Sequence, residues 1–260
     1  MSMHSLRDQP FLVEVRLLRD KVPSWDQYPF DLPVTRSLET IAFHPRVTFF
    51  IGENGTGKST LLEAMAVGLR FNPEGGSRNF RFSTRASHSQ LDRFLRLSRS
   101  ARRMRDGFFF RAESYYNLAT EIEKLDAEEA AGPPIIGAYG GRSLHEQSHG
   151  QSFLALFSHR LRGDGLYLVD EPEAALSPAR QLALLAAMHR LVQRNSQFII
   201  ATHSPILLGY PGATIYLFAE TELAQIAYLD TEHYQITRAF LDRPERMLKE
   251  LFRADDPSEA

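Results

Sequence analysis

The amino-acid sequence predicts an α/β domain with a mainly parallel sheet and helices on its faces. Short apolar runs rich in β-formers alternate along the chain with segments of helical period, the pattern of parallel strands joined by helices. A glycine-rich turn at 52–59 follows one such run and opens a helical segment. The 260 residues, 43% hydrophobic and 24% charged, suffice for one large domain with a proper core.

Phe11 to Leu18 alternates well enough for an early strand. A connector with Pro23, Trp25, Tyr28, Pro29, Phe30 and Pro33 follows. Val47 to Ile51 is a short buried strand that stops at Gly52. Helical spacing runs from Ser59 to about Arg70 through Leu61, Leu62, Met65 and Leu69. Residues 71–106 turn to Ser, Arg and Gly; Phe108 to Phe110 then restores a strand, and Ala112 to Ala131 suits a charged surface helix. Ile135 and Ile136 form a brief apolar piece before Tyr139-Gly140-Gly141. From about Ser148 a helix carries Phe153, Leu154, Leu156, Phe157 and Leu161 on one side. Leu166 to Val169 is a strand ending in Asp170-Glu171. Ser177 as cap and Pro178 at the first turn open a helix with Leu184, Leu185, Met188, Leu191 and Val192 as its stripe. Phe198 to Ala201 is another buried strand, ending at Thr202-His203-Ser204. Strands at Thr214 to Phe218 and Leu223 to Leu229, and helices around Tyr234 to Phe252, complete a single domain over residues 1–260. Residues of about 71–165 are expected to be an inserted helical portion.

Composition narrows the function classes. A formal net charge of −2 is not that of a nucleic-acid sponge or an acidic tail. The absence of cysteine excludes disulfides, thiolate metal sites and cysteine nucleophiles, and fits a reducing compartment. The polar first ten residues lack the apolar core of a signal peptide, and no run reaches the ~18 apolar residues of a membrane span. The expectation is a soluble, cytoplasmic protein without direct membrane insertion; the acidic end (Asp255, Asp256, Glu259) reads as a solvated tail.

Gly52-Glu53-Asn54-Gly55-Thr56-Gly57-Lys58-Ser59 fits G-x-x-x-x-G-K-[S/T], the P-loop pattern, after a strand and before a helix that continues with Thr60. Glycines let successive backbone N–H groups point inward at phosphate oxygens, and the helix adds its positive end. Lys58 is expected across the β- and γ-phosphates and Ser59 on Mg²⁺. Asp170, at the end of a buried strand, suits the Walker B role of reaching Mg²⁺ through water. Glu171, one residue on, is placed to orient or deprotonate an attacking water. These expectations make ATP and Mg²⁺ the cofactors.

Taken in order, 52–59, Ser148-His149-Gly150-Gln151-Ser152, Asp170-Glu171-Pro172 and Thr202-His203-Ser204 resemble the motifs of ABC-type ATPases. The runs 54–64 and 170–178 are similar to the soluble branch: chromosome-maintenance, RecF-like and stand-alone bacterial AAA-family ATPases. The resemblance covers roughly residues 11–219. It implies a P-loop head with an early β portion and an inserted helical subdomain. It also implies two heads sandwiching two ATP molecules in an ATP-dependent homodimer, with Ser148, Gly150 and Gln151 meeting the γ-phosphate bound by the partner. His203 matches the switch histidine that contacts the γ-phosphate and holds the water of Glu171. The sequence departs from the family at His149, where a glycine is usual, and at Ser177, where an aspartate is common. The Q-loop position lacks its glutamine; Glu113 aligns best as a metal-side residue, with Arg111 second. Tyr28 and Phe30 are the candidates for stacking on adenine.

Other readings weigh less. His145-Glu146-Gln-Ser-His149 matches H-E-x-x-H, a zinc-protease pattern, but Gly140, Gly141 and Gly150 around it suit a helix poorly. No Asn-Lys-x-Asp is present to read guanine. An ATPase subunit of a membrane transporter fits the 90-residue spacing from Lys58 to Ser148, but not the missing glutamine. A nucleic-acid-binding or defence ATPase is the remaining alternative. Residues 70–106 hold ten arginines against three acidic residues. Through 78–105 such a segment suits a phosphate backbone, and Arg96, Arg99 and Arg103 would share one face of a helix. A solvated surface insert is the slightly favoured account, and the same spacing would equally suit a docking face for an acidic, unknown protein partner.

Overall fold

The computed structural model describes residues 9–77, 89–112, 115–127, 134–141, 149–219 and 222–254. Its centre is a six-stranded sheet. The strands are β3 (Val47–Ile51), β5 (Asp106–Arg111), β6 (Gly165–Asp170), β7 (Gln197–Ala201), β8 (Thr214–Phe218) and β9 (Leu223–Gln225), in the order β5-β6-β7-β3-β8-β9. All neighbours are parallel except β9, which runs antiparallel to β8. Every residue of β3, β6 and β7 is buried, as strands covered on both faces require.

The two-residue period of the strands splits their side chains between two cores. Phe49, Phe108, Phe110, Val169 and Ile200 join one face. Phe50, Phe109, Leu168 and Ile199 join the other. The second face is covered by α2 (Lys58–Gly68) and by a small antiparallel sheet of β2 (Thr40–Ala42), β1 (Leu12–Leu17) and β4 (Leu95–Arg99). The first is covered by α3 (Tyr115–Ala127), α4 (His149–Ala155) with a π-helical turn at Leu156–Arg160, and α5 (Pro178–Gln193). Since β4 and β5 pair into the two sheets, the helical stretch within 71–165 is the part between β5 and β6. The short helices α1 (Pro33–Ser37) and α6 (Pro205–Leu208) flank the sheet's C-terminal edge. The pair α7 (Glu232–Asp242) and α8 (Pro244–Ala254) ends the described chain. Among the described residues no helix is long and apolar enough to cross a membrane.

Several expectations change. The strand expected over 223–229 is only three residues long, because Tyr228–Asp230 turns into a 3-10 segment. Ser177 holds the N-cap position of α5 with no side-chain cap bond, and Pro178 sets the first turn. Arg96, Arg99 and Arg103 share no helix: 95–99 is an edge strand, on which positions three apart face opposite ways. Arg102 is structural. Its side chain is 6% exposed, and its guanidinium donates to the carbonyls of Gln9 (2.7 Å) and Asn195 (2.8 Å), pairs with Asp164 (3.1 Å) and lies over the Phe11 ring. Arg96, Arg99 and Arg103 remain exposed, while Arg78, Arg81 and Arg85 lie outside the described residues.

One buried amide joins the two sheets. The Gln197 Oε1 accepts from the Phe11 and Leu12 N–H groups at 2.9 Å each, and its Nε2 donates to the carbonyls of Leu12 (2.9 Å) and His44 (3.1 Å). Gln197→Leu strands two buried donors, so urea unfolding should show stability lower by roughly 2–6 kcal/mol at 1–3 per group.

Candidate functional site

The 52–59 loop runs from the C-terminal end of β3 into α2. Two of its glycines are required by geometry. At Gly52, with φ of +146°, a Cβ would come within 2.4 Å of the Phe218 carbonyl oxygen. At Gly57, with φ of +95°, it would meet Val34 Cγ1 at 2.5 Å. The Val34 N–H also donates to the Thr56 carbonyl at 2.9 Å, so the connector after β1 braces the loop. Glu53, Asn54 and Gly55 are exposed at the turn, and Thr60 is half-buried on α2. Gly57 caps α2 with no side-chain bond, leaving the helix's first N–H groups for an anion.

Lys58 is 4% exposed, and its Nζ donates to the carbonyls of Gly52 and Glu53, both at 2.8 Å, and to Thr56 Oγ1 at 3.4 Å. Burial lowers its pKa; Glu171, Asp170 and Glu173 oppose that by stabilising the charge. Ser59 Oγ donates to Asp170 Oδ1 at 2.9 Å. A hydroxyl and a carboxylate so placed are hard oxygen donors that suit Mg²⁺, which keeps several waters and takes few protein ligands.

Asp170 ends β6, and the chain turns sharply after it. Glu171 has φ of +46°, a left-handed backbone that is costly for a non-glycine residue, held by its N–H bond to the Ala201 carbonyl at 3.0 Å. Its Oε1 lies 3.8 Å from His203 Nε2. His203 Nε2 is buried with no hydrogen-bond partner among the described residues. Burial first, then Lys58 and His233, push the His203 pKa down to about 4, so the ring is neutral near pH 7.

Three contributors escaped the sequence reading. Glu173 accepts from Thr202 Oγ1 (2.7 Å) and from the His203 N–H, tying the turn after Asp170 to the loop after β7. Burial raises its pKa. Glu63 on α2 pairs with Arg111 at 2.7 Å, and Arg111 Nε approaches Asp170 Oδ2 at 3.8 Å. The second Q-loop candidate thus brings a cation beside Asp170, where no metal ligand is possible from a guanidinium. The third is His233, whose Nε2 lies 3.2 Å from His203 Nδ1. A cavity of about 690 Å³ opens over Gly52, Asn54, Thr56, His203 and His233. A smaller one, about 210 Å³, lies over Ser59, Arg111, Asp170 and Glu171.

The rest of the expected set is only partly assembled. Glu113 and Ser148 lie outside the described residues, as do His145 and Glu146 of the H-E-x-x-H match. Gly150 is buried within its own chain: a Cβ there would meet Arg180 Nη1 at 2.5 Å and the Ala175 carbonyl at 2.8 Å. Gln151 is exposed. Phe30 is not available for stacking; it is 4% exposed and packs edge-on to Phe94 at 4.8 Å. Tyr28 is 61% exposed.

Two family models match the chain, one described as "AAA domain, putative AbiEii toxin, Type IV TA system" over residues 86–209, the other as "AAA domain" over 30–125. The chain is similar to the hemin import ATP-binding protein HmuV of Rhodopseudomonas palustris (strain HaA2), 27% identical over 167 residues, or 59% of this chain and 63% of HmuV. It is also similar to the macrolide export ATP-binding/permease protein MacB of Hahella chejuensis (strain KCTC 2396), 23% identical over 218 residues, or 75% of this chain and 31% of MacB. The alignments therefore span less than two thirds of either relative. Among solved structures, an ATP-binding cassette of an ABC transporter superimposes with a TM-score of 0.53 at 15% identity, covering 84% of this chain and 91% of that one.

Proposed function

We propose that this chain, an ABC-type P-loop ATPase domain, binds MgATP and hydrolyses it to ADP and phosphate. The observation that carries the reading is the convergence at one sheet edge of Lys58, the Ser59–Asp170 pair at 2.9 Å, and Glu171 3.8 Å from His203. Lys58 exchanges its loop carbonyls for β- and γ-phosphate oxygens. Ser59, with Asp170 behind it, would hold Mg²⁺, which supplies charge neutralisation on the phosphates. Glu171 takes the proton of the attacking water, and His203 donates from Nε2 to the γ-phosphate. Phosphate release should require Mg²⁺ and vanish with EDTA. No release by wild-type protein at any concentration would refute the reading.

His203→Ala should lower kcat by about 100-fold, the scale for losing one donor aimed at developing charge, while ATP affinity barely changes. Equal losses in both would make His203 a structural residue.

Each site works with a second copy, as the ABC resemblance implies, and exposed Gln151 is the described signature residue best placed to reach across. The wider role divides between two readings. The names of HmuV and MacB favour a transporter-linked cassette. The family model's toxin–antitoxin description favours a stand-alone defence ATPase. The buried Arg102 takes one member out of the arginine track, which weakens the nucleic-acid form of the second reading. Capture of partners by an ATP-trapped variant separates them: a membrane subunit supports the first, its absence beside a cytoplasmic partner the second.

A further inference from the structure

The ATPase reading leaves unexplained why the C-terminal helix α7 reaches back to the phosphate end of the site. Its first turn is fixed firmly. Thr231, fully buried, caps α7 by accepting from the Tyr234 N–H at 3.3 Å, and donates to the Tyr228 carbonyl at 2.7 Å. Tyr228 in turn donates to the Pro205 carbonyl at 3.0 Å, two residues beyond His203. This brace sets the His233 ring 5.3 Å from the His203 ring, centroid to centroid, with Nε2 of the first 3.2 Å from Nδ1 of the second.

Only one of those two nitrogens carries the bonding proton. Were it His203 Nδ1, then Nε2 of His203 would present a lone pair to the Glu171 carboxylate 3.8 Å away and to any phosphate above Lys58. Lone pair against anion is repulsive. With the proton on His233 Nε2, His203 Nδ1 accepts and its Nε2–H points at both anions. The second unprotonated nitrogen of the pair is then His233 Nδ1, which is buried without a hydrogen-bond partner among the described residues. Burial lowers the pKa of both rings, which keeps each neutral and leaves this donor–acceptor choice meaningful.

We infer that His233 is a positioning residue: its Nε2–H locks His203 into the Nε2–H tautomer that faces the γ-phosphate. The inference rests on the ATPase reading for its consequence, but the tautomer itself exists without nucleotide. Through it, the α7–α8 pair is coupled to the switch histidine within the same chain.

The test has two arms on the full-length protein. In nucleotide-free wild type, ¹⁵N NMR should show His203 with a protonated Nε2 and a bare Nδ1; the opposite tautomer would overturn the inference even if the protein hydrolyses ATP. In turnover, His233→Ala should lower kcat by about 10- to 100-fold, the range seen for partners that orient a metal-bound histidine, with KM for ATP unchanged. His233→Gln, whose amide N–H can replace the donor, should recover most of the rate. Wild-type kcat in His233→Ala, or no recovery in a folded His233→Gln, would refute the positioning role. A protein without ATPase activity that still shows the Nε2–H tautomer would refute the ATPase reading alone.

Discussion

Lys58→Ala is expected to raise the dissociation constant for MgATP by about 100-fold or more, since each hydrogen bond to a charged group contributes about 1.5–3 kcal/mol and the proposed binding mode gives Lys58 two to phosphate. The loss has a second origin. The ammonium also bridges the carbonyls of Gly52 and Glu53 and the Thr56 hydroxyl, so it holds the loop curled. Alanine removes both the charge and the brace. Nothing else described replaces it: Arg111 is engaged with Glu63 and Asp170. Lys58→Arg keeps the charge but not the compact head that fits a 4% exposed site, so it should bind nearly as poorly. Calorimetric titration with MgATP measures this directly. Wild-type affinity in Lys58→Ala would mean that the loop at 52–59 is not the phosphate cradle.

The parts of this site that were legible in the sequence are those fixed by local chemistry. Val47 to Ile51, Gly165 to Asp170 and Gln197 to Ala201 are each apolar enough to demand burial, and they lead into Gly52, Asp170 and Thr202 respectively. Parallel pairing then brings these ends to one edge of the sheet, so the order of motifs already implied one site. What stayed hidden depends on partners far along the chain. Arg102 reads as one more surface arginine until Asp164 and Asn195 are folded against it. Glu63 and Arg111 are 48 residues apart, and His203 and His233 are 30 apart. In β4 a signal was present: Leu95 and Leu97 alternate with Arg96 and Ser98, but the density of arginine around them masks the period. Phe30 illustrates the same limit, since composition alone cannot tell a stacking aromatic from one that meets Phe94 in the core.

Glu171→Gln should lower kcat by about 10²–10⁴-fold, the usual contribution of a positioned general base, while leaving ATP affinity intact. The amide preserves the size of the side chain and its reach toward His203, but it cannot take a proton from water. The turn that presents it should also survive, because the left-handed backbone at φ of +46° is held by the bond from the Glu171 N–H to the Ala201 carbonyl, independent of the side chain. Since binding persists and turnover stops, the nucleotide-loaded state accumulates. If a second copy completes each site, that state is a dimer, and multi-angle light scattering should show the mass doubling on addition of MgATP and reverting when nucleotide is removed. Gln151→Ala in the Glu171→Gln background should weaken the dimer without changing nucleotide affinity in the monomer, because Gln151 is exposed on α4, outside its own chain's phosphate loop. Full turnover by Glu171→Gln would remove Glu171 from the role of base and leave the water to another group. A trapped, nucleotide-bound monomer would keep Glu171 in that role and dismiss the two-copy arrangement.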